Sequence, residues 1–146
     1  MDRDAADIRY ALEPDLTPAE FVDLLVRSTL ASRRPIHAPA IIAGMLSKAD
    51  LIVTARTADR LLVGVARSLT DFVYCTYLSD LGVDVAFQGR GIGRTLIART
   101  RAAVPPTANL ILLAAPGART YYPHIGMEAH PSCWIFPRQL PPAQGA

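Results

Sequence analysis

The spacing of apolar and polar positions predicts an antiparallel meander in the first half of the chain. Residues 8–12 alternate between apolar and polar side chains, as a half-buried strand does. Residues 51–56 and 61–69 form two further strand-like runs, and the polar residues 57–60 between them indicate a turn. A turn at Thr70 and Asp71 then leads into a long apolar run over 72–87, which we expect to be one strand.

Two helices are expected between the first and second strands. Thr17, Pro18 and Glu20 resemble a capping box, in which Thr17 caps the helix, Pro18 is its first residue and Glu20 reaches back. Residues 39–47 read as a second helix. The interruption at 32–35, which ends in proline, separates the two.

The second half of the chain has the pattern of an α/β crossover. Residues 91–104 predict a helix with one buried face, made of Ile92, Leu96, Thr100 and Ala103. A strand over 109–114, a short helix around Tyr121 and a closing strand at 133–136 follow. The order indicates a mixed α/β sheet in a single domain over residues 1–146, with 137–146 expected to fray.

Composition narrows the class of protein. The chain has 146 residues, of which 51% are hydrophobic and 19% charged, so a disordered chain is excluded. A net charge of +2 without a basic run argues against nucleic acid, and no apolar run is long enough for a membrane span. Cys75 and Cys133 have neither metal-ligand nor disulfide-framework spacing, so no metal is expected. A cytoplasmic location is the expectation.

The glycines at 89, 91 and 93 lie between the long strand and the helix, where they predict an anion site. The first N–H groups of a helix have no internal partners, and the helix dipole favours negative charge there. A P-loop would need a lysine after the glycines, and none follows. The dinucleotide fingerprint would need glycine where Arg94 stands, together with an acidic residue about 20 positions on, and both requirements fail.

What remains is Gln-x-x-Gly-x-Gly at Gln88, Gly91 and Gly93, and with it the chain resembles the GNAT superfamily of N-acetyltransferases. A second motif agrees, because Tyr122, Gly126 and a following apolar residue have the family's spacing, with methionine in place of the usual phenylalanine. The resemblance implies a mixed, mostly antiparallel sheet of six to seven strands flanked by about four helices.

The resemblance also implies acetyl-CoA as cosubstrate. Its pyrophosphate would lie on backbone N–H groups of the glycine loop, while the end of the preceding strand would offer unpaired backbone groups to the pantetheine arm and the acetyl carbonyl. Gly82 beside that strand end could ease a bulge. The expected coenzyme-binding residues are Val83, Asp84, Val85, Gln88, Gly89, Arg90, Gly91, Ile92, Gly93, Arg94 and Thr95.

By the same resemblance, Tyr122 is the acid that protonates the leaving thiolate, although the adjacent Tyr121 remains open because the helix phase is not fixed by sequence. The general base is not determined. Asp80, a charge inside an apolar strand, is the first candidate, and a structurally paired carboxylate is an equal interpretation. Asp71, Asp84 and His124 are rivals.

The predicted activity is direct acetyl transfer to the primary amine of a small molecule within a ternary complex. Arg33, Arg34 and His37 add positive charge where the acceptor should bind, although a polar loop accounts for them equally. Two alternatives stay open: a non-catalytic coenzyme A-binding sensor, and an acetyltransferase for protein N-termini or lysines. A homodimer also stays open.

Overall fold

A computed structural model describes residues 7–142, which form one five-stranded sheet with strands in the order β1-β2-β3-β4-β5. The first four strands pair antiparallel, and β5 joins β4 in parallel through the crossover helix. The strands are β1 Arg9–Leu12, β2 Leu51–Arg56, β3 Leu62–Thr70, β4 Cys75–Val83 and β5 Asn109–Ile111.

Four α-helices accompany the sheet within the described residues: α1 Pro18–Arg27, α2 Pro39–Ser47, α3 Ile92–Ala102 and the single turn α4 Tyr121–His124. Short 3-10 turns lie at Leu30–Arg33, Val85–Phe87 and Pro116–Ala118. Thr17 caps α1, because its hydroxyl accepts the Glu20 N–H at 3.3 Å. The Glu20 carboxylate does not complete a capping box, since it pairs with Arg56 at 2.6 Å.

The sheet separates two apolar clusters. One face is covered by α1 and α2, which bury Phe21, Leu24, Leu25, Ile42 and Leu46. The other face is covered by α3 through Ile92, Leu96 and Ile97, with Thr100 also buried, so the predicted apolar face of this helix is confirmed apart from half-buried Ala103. The sheet therefore carries the loop before α3 on one side and the α1–α2 connection on the other.

The expectation of six to seven strands is wrong, because the described chain has five. The segment at 133–136 is not a strand: Trp134 is 90% exposed and Phe136 fully exposed. Prolines on both sides, Pro131 and Pro137, shorten the stretch that could donate to a ladder. Residues 143–146 of the predicted tail lie outside the described residues.

The single strand expected over 72–87 is also divided. Asp71 Oδ1 accepts the backbone N–H groups of Val73, Tyr74 and Cys75 at 2.7–3.1 Å, which forms a tight turn before β4. These three hydrogen bonds to one carboxylate oxygen thus take the place of the strand pairing that we expected for this part of the chain. After Val83 the chain turns again, through the 3-10 turn.

The Asp71 turn gives a test by pH. Its backbone hydrogen bonds, led by that from Tyr74, lower the Asp71 pKa to about 2 from 3.8. A carboxyl whose pKa is lower in the folded state than in the unfolded state stabilises the fold at pH values above the unfolded-state pKa. This stabilisation is lost as the pH falls through 2. We expect Asp71→Asn to lower the melting temperature at pH 6 and to lose that difference between pH 4 and 2. Asp15→Asn, at another exposed turn, is the control; a pH-independent difference would contradict the assignment.

Candidate active site

A cavity of about 940 Å³ opens across one end of the sheet. Its walls come from the connection between α1 and α2, the second half of β4, the loop before α3, and the chain around α4. The strand, the glycine loop and the tyrosine pair singled out from the sequence therefore border one space. The C-terminal segment borders it too, through Arg138 and Leu140, and the His37 ring lies 3.0 Å from the Pro141 carbonyl oxygen.

The central feature of the cavity is an open edge of β4. Pairing between β4 and β5 begins at Cys75 and ends at Tyr77, which lies beside Ile111. Because β5 is only three residues long, the β4 residues 78–83 have no neighbouring strand on that side among residues 7–142. The parallel pair thus separates as the sequence resemblance implies, and leaves strand backbone facing the cavity.

A β-bulge in β4 accompanies this separation. Arg67 pairs with Asp80, but the next residue of β3, Ser68, pairs with Leu78, so Ser79 is the extra residue. The sequence placed a bulge beside Gly82, three residues further along. Gly82 instead lies where an added Cβ would come within 2.9 Å of the Leu30 side chain, so it permits close packing of the α1–α2 connection.

Backbone direction along β4 follows from one hydrogen bond. The Asp84 N–H donates to the Val63 carbonyl at 2.9 Å, toward β3. Since backbone groups alternate sides along an extended strand, those of Val83 and Leu81 point toward the open edge. The Gln88 side chain agrees, because its amide donates to the Val83 carbonyl at 3.2 Å.

This geometry changes the set of backbone groups expected to meet the coenzyme. Val83 lies on the open edge, but the Asp84 N–H is used by Val63 and its carbonyl accepts the Phe87 N–H at 2.8 Å. The Asp84 carboxylate is used as well, by Arg27 at 2.5 Å and by the Ala86 N–H. Val85 belongs to the exposed 3-10 turn. Leu81, which sequence reasoning missed, lies on the open edge with Val83, whereas the coenzyme contacts expected for Asp84 and Val85 stay predictions.

The glycine loop has the backbone geometry of an anion site. Gly89 and Gly91 have φ angles of 80° and 79°, which favour glycine, and Gly91 caps α3. A Cβ added at either position would meet no protein atom within 4 Å, so the space before the helix is open. The first N–H groups of α3 therefore face a volume that a phosphate can enter.

The side chains of the loop have separate roles. Thr95 donates its hydroxyl to the Gly91 carbonyl at 3.0 Å and so stabilises the first turn of α3. The Arg90 guanidinium lies over the Phe87 ring, 5.0 Å from its centroid, whereas Arg94 is exposed at the helix start. Neither arginine lines the cavity, so the loop reaches it through its three glycines, Gln88 and Ile92.

These observations fit a coenzyme with a pyrophosphate and a long amide-bearing arm. The helix terminus with two positive-φ glycines offers N–H groups to the phosphates, and the open edge of β4 offers strand-type pairing to the amides of the arm. The described residues contain no group of three or more metal-ligating side chains.

The two adjacent tyrosines both border the cavity but differ in their surroundings. The Tyr121 hydroxyl lies 3.2 Å from where a Cβ on Gly93 would stand, so it covers the start of α3. Tyr122 is half-buried against the apolar cluster that contains Ile92 and Leu96. Burial raises the pKa of both phenols, with Tyr121 raising that of Tyr122 further and Arg94 opposing the shift at Tyr121. Both therefore retain their proton at neutral pH.

Asp80, the first candidate for the base, is fully buried between two arginines. Its Oδ1 accepts from Arg34 Nε and its Oδ2 from Arg67 Nε, so each carboxylate oxygen already has a charged partner. The other candidates have their own structural contacts or exposure. Asp71 holds its turn, Asp84 pairs with Arg27, and His124 is exposed at the end of α4.

Arg67 is the site residue that sequence reasoning missed entirely, and Arg34 was noted only as part of a charged loop. A signal for Arg67 was present, because it interrupts the apolar run of β3 and an arginine there requires a partner. Its partner, Asp80, interrupts the next strand directly opposite. The two irregularities together predict a cross-strand ion pair.

Comparison with known proteins assigns the family. The family model of the acetyltransferase (GNAT) domain matches residues 25–133. The chain belongs to the GNAT family. A curated relative, the chloroplastic GCN5-related N-acetyltransferase 2 of Arabidopsis thaliana, is 29% identical over 75 residues, which are 50% of this chain. The match spans only 29% of that relative's length.

Solved structures agree on the fold. A candidate acetyltransferase from Deinococcus radiodurans R1 superimposes with a TM-score of 0.73 at 21% identity, over 93% of this chain and 92% of that one. The GNAT-family acetyltransferase SP0256 of Streptococcus pneumoniae TIGR4 gives 0.65 at 19% identity, over 90% and 99%. The aminoglycoside acetyltransferase meta-AAC0020, from an uncultured soil sample and solved with sisomicin, gives 0.66 at 16%, over 93% and 98%.

Within residues 7–142 every helix is too short or too polar to cross a lipid bilayer. The cytoplasmic location stays a prediction.

Proposed function

We propose that this GNAT protein transfers the acetyl group of acetyl-CoA directly to the primary amine of a small molecule, within a ternary complex. The observation that carries the proposal is the open edge of β4, which ends at the glycine loop inside one cavity. The edge and the loop suit the two halves of a coenzyme A molecule, the arm and the phosphates.

Binding rests mainly on backbone groups. The N–H groups at the start of α3 hold the pyrophosphate, and the edge groups of Leu81 and Val83 pair with the arm. When bound, acetyl-CoA supplies an acetyl group activated as a thioester. An edge N–H such as that of Leu81 donates to the acetyl carbonyl oxygen, where negative charge develops, and a fixed backbone donor of this kind contributes about 3 kcal/mol.

Proton transfer involves Tyr122 and solvent. A phenol whose pKa is raised by burial keeps its proton at neutral pH and can deliver it to a departing thiolate. Asp80 is engaged by two arginines, so we assign it the role of their counter-ion at the bulge instead of that of the base. The amine attacks in its neutral form and gives up one proton to water in the open part of the cavity as the amide forms, while solvent returns a proton to Tyr122.

A small acceptor is supported by the cavity and by one structural relative. The volume of about 940 Å³ lies in the range of small-molecule sites, even though a coenzyme must share it. The structure solved with sisomicin is that of an aminoglycoside acetyltransferase, and at 16% identity it shares only the fold with this chain. The coenzyme A-binding sensor remains the second candidate.

The test combines binding and turnover. The protein is titrated with acetyl-CoA by calorimetry, and a panel of primary amines is then screened for release of free thiol. Binding with amine-dependent thiol release supports the enzyme. Binding without turnover on any amine supports the sensor, and failure to bind acetyl-CoA would exclude both.

A further inference from the structure

Arg34, Asp80 and Arg67 form a cluster whose charges do not balance. Asp80 is completely buried, and the side chains of Arg67 and Arg34 are only 8% and 19% exposed. Guanidinium groups are always protonated, so two of them and a single carboxylate leave the cluster with one net positive charge. Net charge in a poorly solvated place is destabilising unless a ligand of opposite charge completes the group.

The cluster is held by further hydrogen bonds and still has N–H groups that these bonds do not use. Arg67 also donates to the Met45 carbonyl at 3.2 Å and to the Ser79 hydroxyl at 3.0 Å. Arg34 donates to the carbonyls of Arg33 and Ser79 at 2.9 and 3.1 Å. These contacts and the bonds to Asp80 use three of the five N–H groups on each guanidinium, which leaves two on each for a ligand.

The cluster forms part of the wall of the cavity. Arg34 and Arg67 both line it, and Asp80 is the single acidic residue among the cavity-lining residues of the described chain. Arg33 and Arg138 add further positive charge to the lining of the same cavity. The arginines thus attract a negatively charged ligand group. The carboxylate of Asp80 is the one acidic side chain among the described lining residues, and it is already paired.

The phosphates of the coenzyme are not the expected partners of this cluster. From Asp80 the strand continues about 10 Å to Val83, at roughly 3.3 Å per residue, before the 3-10 turn and the glycine loop. The cluster lies instead at the Ser79 bulge, against the α1–α2 connection and Met45 of α2. That part of the cavity remains for the acceptor.

We propose that the acceptor amine also carries a carboxylate, which binds to Arg34 and Arg67. The inference rests on the proposed acetyl transfer and names the acceptor class for the same site. A carboxylate fits better than a phosphate because one negative charge neutralises the cluster, and because guanidinium groups bind carboxylates through paired N–H groups. Ile41, Met45 and Leu30 border the same wall, so the acceptor needs a hydrocarbon spacer between its two polar ends.

The first experiment uses amino acids that differ in the length of the spacer between amine and carboxylate. Glycine, β-alanine, γ-aminobutyrate and 6-aminohexanoate are each compared with the corresponding amide, which keeps the amine and removes the charge. We expect kcat/KM for one spacer length to exceed that of its amide by about 10-fold or more, the scale of charge-assisted hydrogen bonds. Acetylation of amides and acids at equal rates would overturn the carboxylate proposal while leaving acetyl transfer intact, and preference for phosphoethanolamine would replace carboxylate by phosphate.

The second experiment locates the effect. Arg34→Gln should raise KM for the preferred amino acid about 10-fold more than it raises KM for the corresponding amide. Arg34→Lys should retain part of the preference, and Arg101→Gln, on the exposed face of α3, should retain all of it. An unchanged preference in Arg34→Gln would remove the cluster from acceptor binding.

A third measurement does not depend on turnover. N-acetyl-γ-aminobutyrate and its amide, and the corresponding pairs for the other spacers, are titrated into the wild-type protein holding coenzyme A. We expect the acid of at least one pair to bind about 10-fold more tightly than its amide, and this difference to disappear in Arg34→Gln. Equal binding of acid and amide in every pair would overturn the proposal even if no amine in the panel reacts.

Discussion

Gly91→Val is expected to lower the affinity for acetyl-CoA by at least about 100-fold, because the branched side chain displaces the phosphate from two or more charge-assisted N–H bonds. No protein atom lies within 4 Å of a Cβ at this position, so the added atoms extend into the volume that the phosphate would occupy. Calorimetric titration with acetyl-CoA measures the change.

The control for Gly91→Val must carry the same backbone strain. Gly91 has a φ of 79°, where a β-branched residue is destabilised, so some loss of thermal stability is expected as well. Gly126→Val is matched, since its φ is 94°, it also has no neighbour within 4 Å, and it does not line the cavity. We expect Gly126→Val to lose stability but to keep its coenzyme affinity.

A comparison with Arg94→Ala separates backbone from side chain. This exposed arginine lies in the first turn of α3, and its loss should weaken binding by about 1–2 kcal/mol, the scale of one charge-assisted bond. Unchanged affinity in Gly91→Val would remove the loop from coenzyme binding. A larger loss in Arg94→Ala than in Gly91→Val would mean that side chains dominate.

Local patterns predicted the elements near the site well. The bounds of α2 and the buried face of α3 follow from the spacing of apolar residues alone. The glycine loop is visible in the sequence because a tight turn with space for a ligand requires glycines. Two motifs in the right order sufficed for the family. These features depend on neighbours within a few residues, so a sequence displays them directly.

What the sequence did not predict depends on distant partners. The bulge at Ser79 lies beside two long-range contacts: Arg67 and Asp80 pair across β3 and β4, and Arg34, from the α1–α2 connection, binds the same carboxylate. The strand register at Asp84 likewise depends on Val63, and it determines which backbone groups reach the cavity. No spacing rule contains these contacts, since each joins residues at least 12 positions apart.

The strand count failed for a related reason. Residues 133–136 have the composition of a strand, yet a strand forms only where a neighbour offers an edge in register. With β5 only three residues long and prolines at 131 and 137, the segment stays exposed. The residues there do favour a strand, but no strand of the described chain pairs with them.

Tyr122→Phe is expected to lower kcat at least about 10-fold with little change in coenzyme affinity, because general acid catalysis contributes roughly 10²–10⁴ in rate. The substitution removes one hydroxyl and keeps the ring that packs against the cluster around Ile92 and Leu96. The raised pKa of this phenol adds a pH criterion: the wild-type rate should be maintained through neutral pH and fall only when the phenol ionises.

Tyr121→Phe provides the internal control, since it removes an equivalent hydroxyl one residue away. That hydroxyl lies at Gly93, beside the phosphate loop, so its loss should affect coenzyme affinity more than kcat. Steady-state kinetics with the preferred amine, together with acetyl-CoA titrations, separate the two effects. If kcat falls in Tyr121→Phe and not in Tyr122→Phe, the roles assigned to the two tyrosines must be exchanged. Full kcat in both variants would show that water, and not a tyrosine, protonates the thiolate.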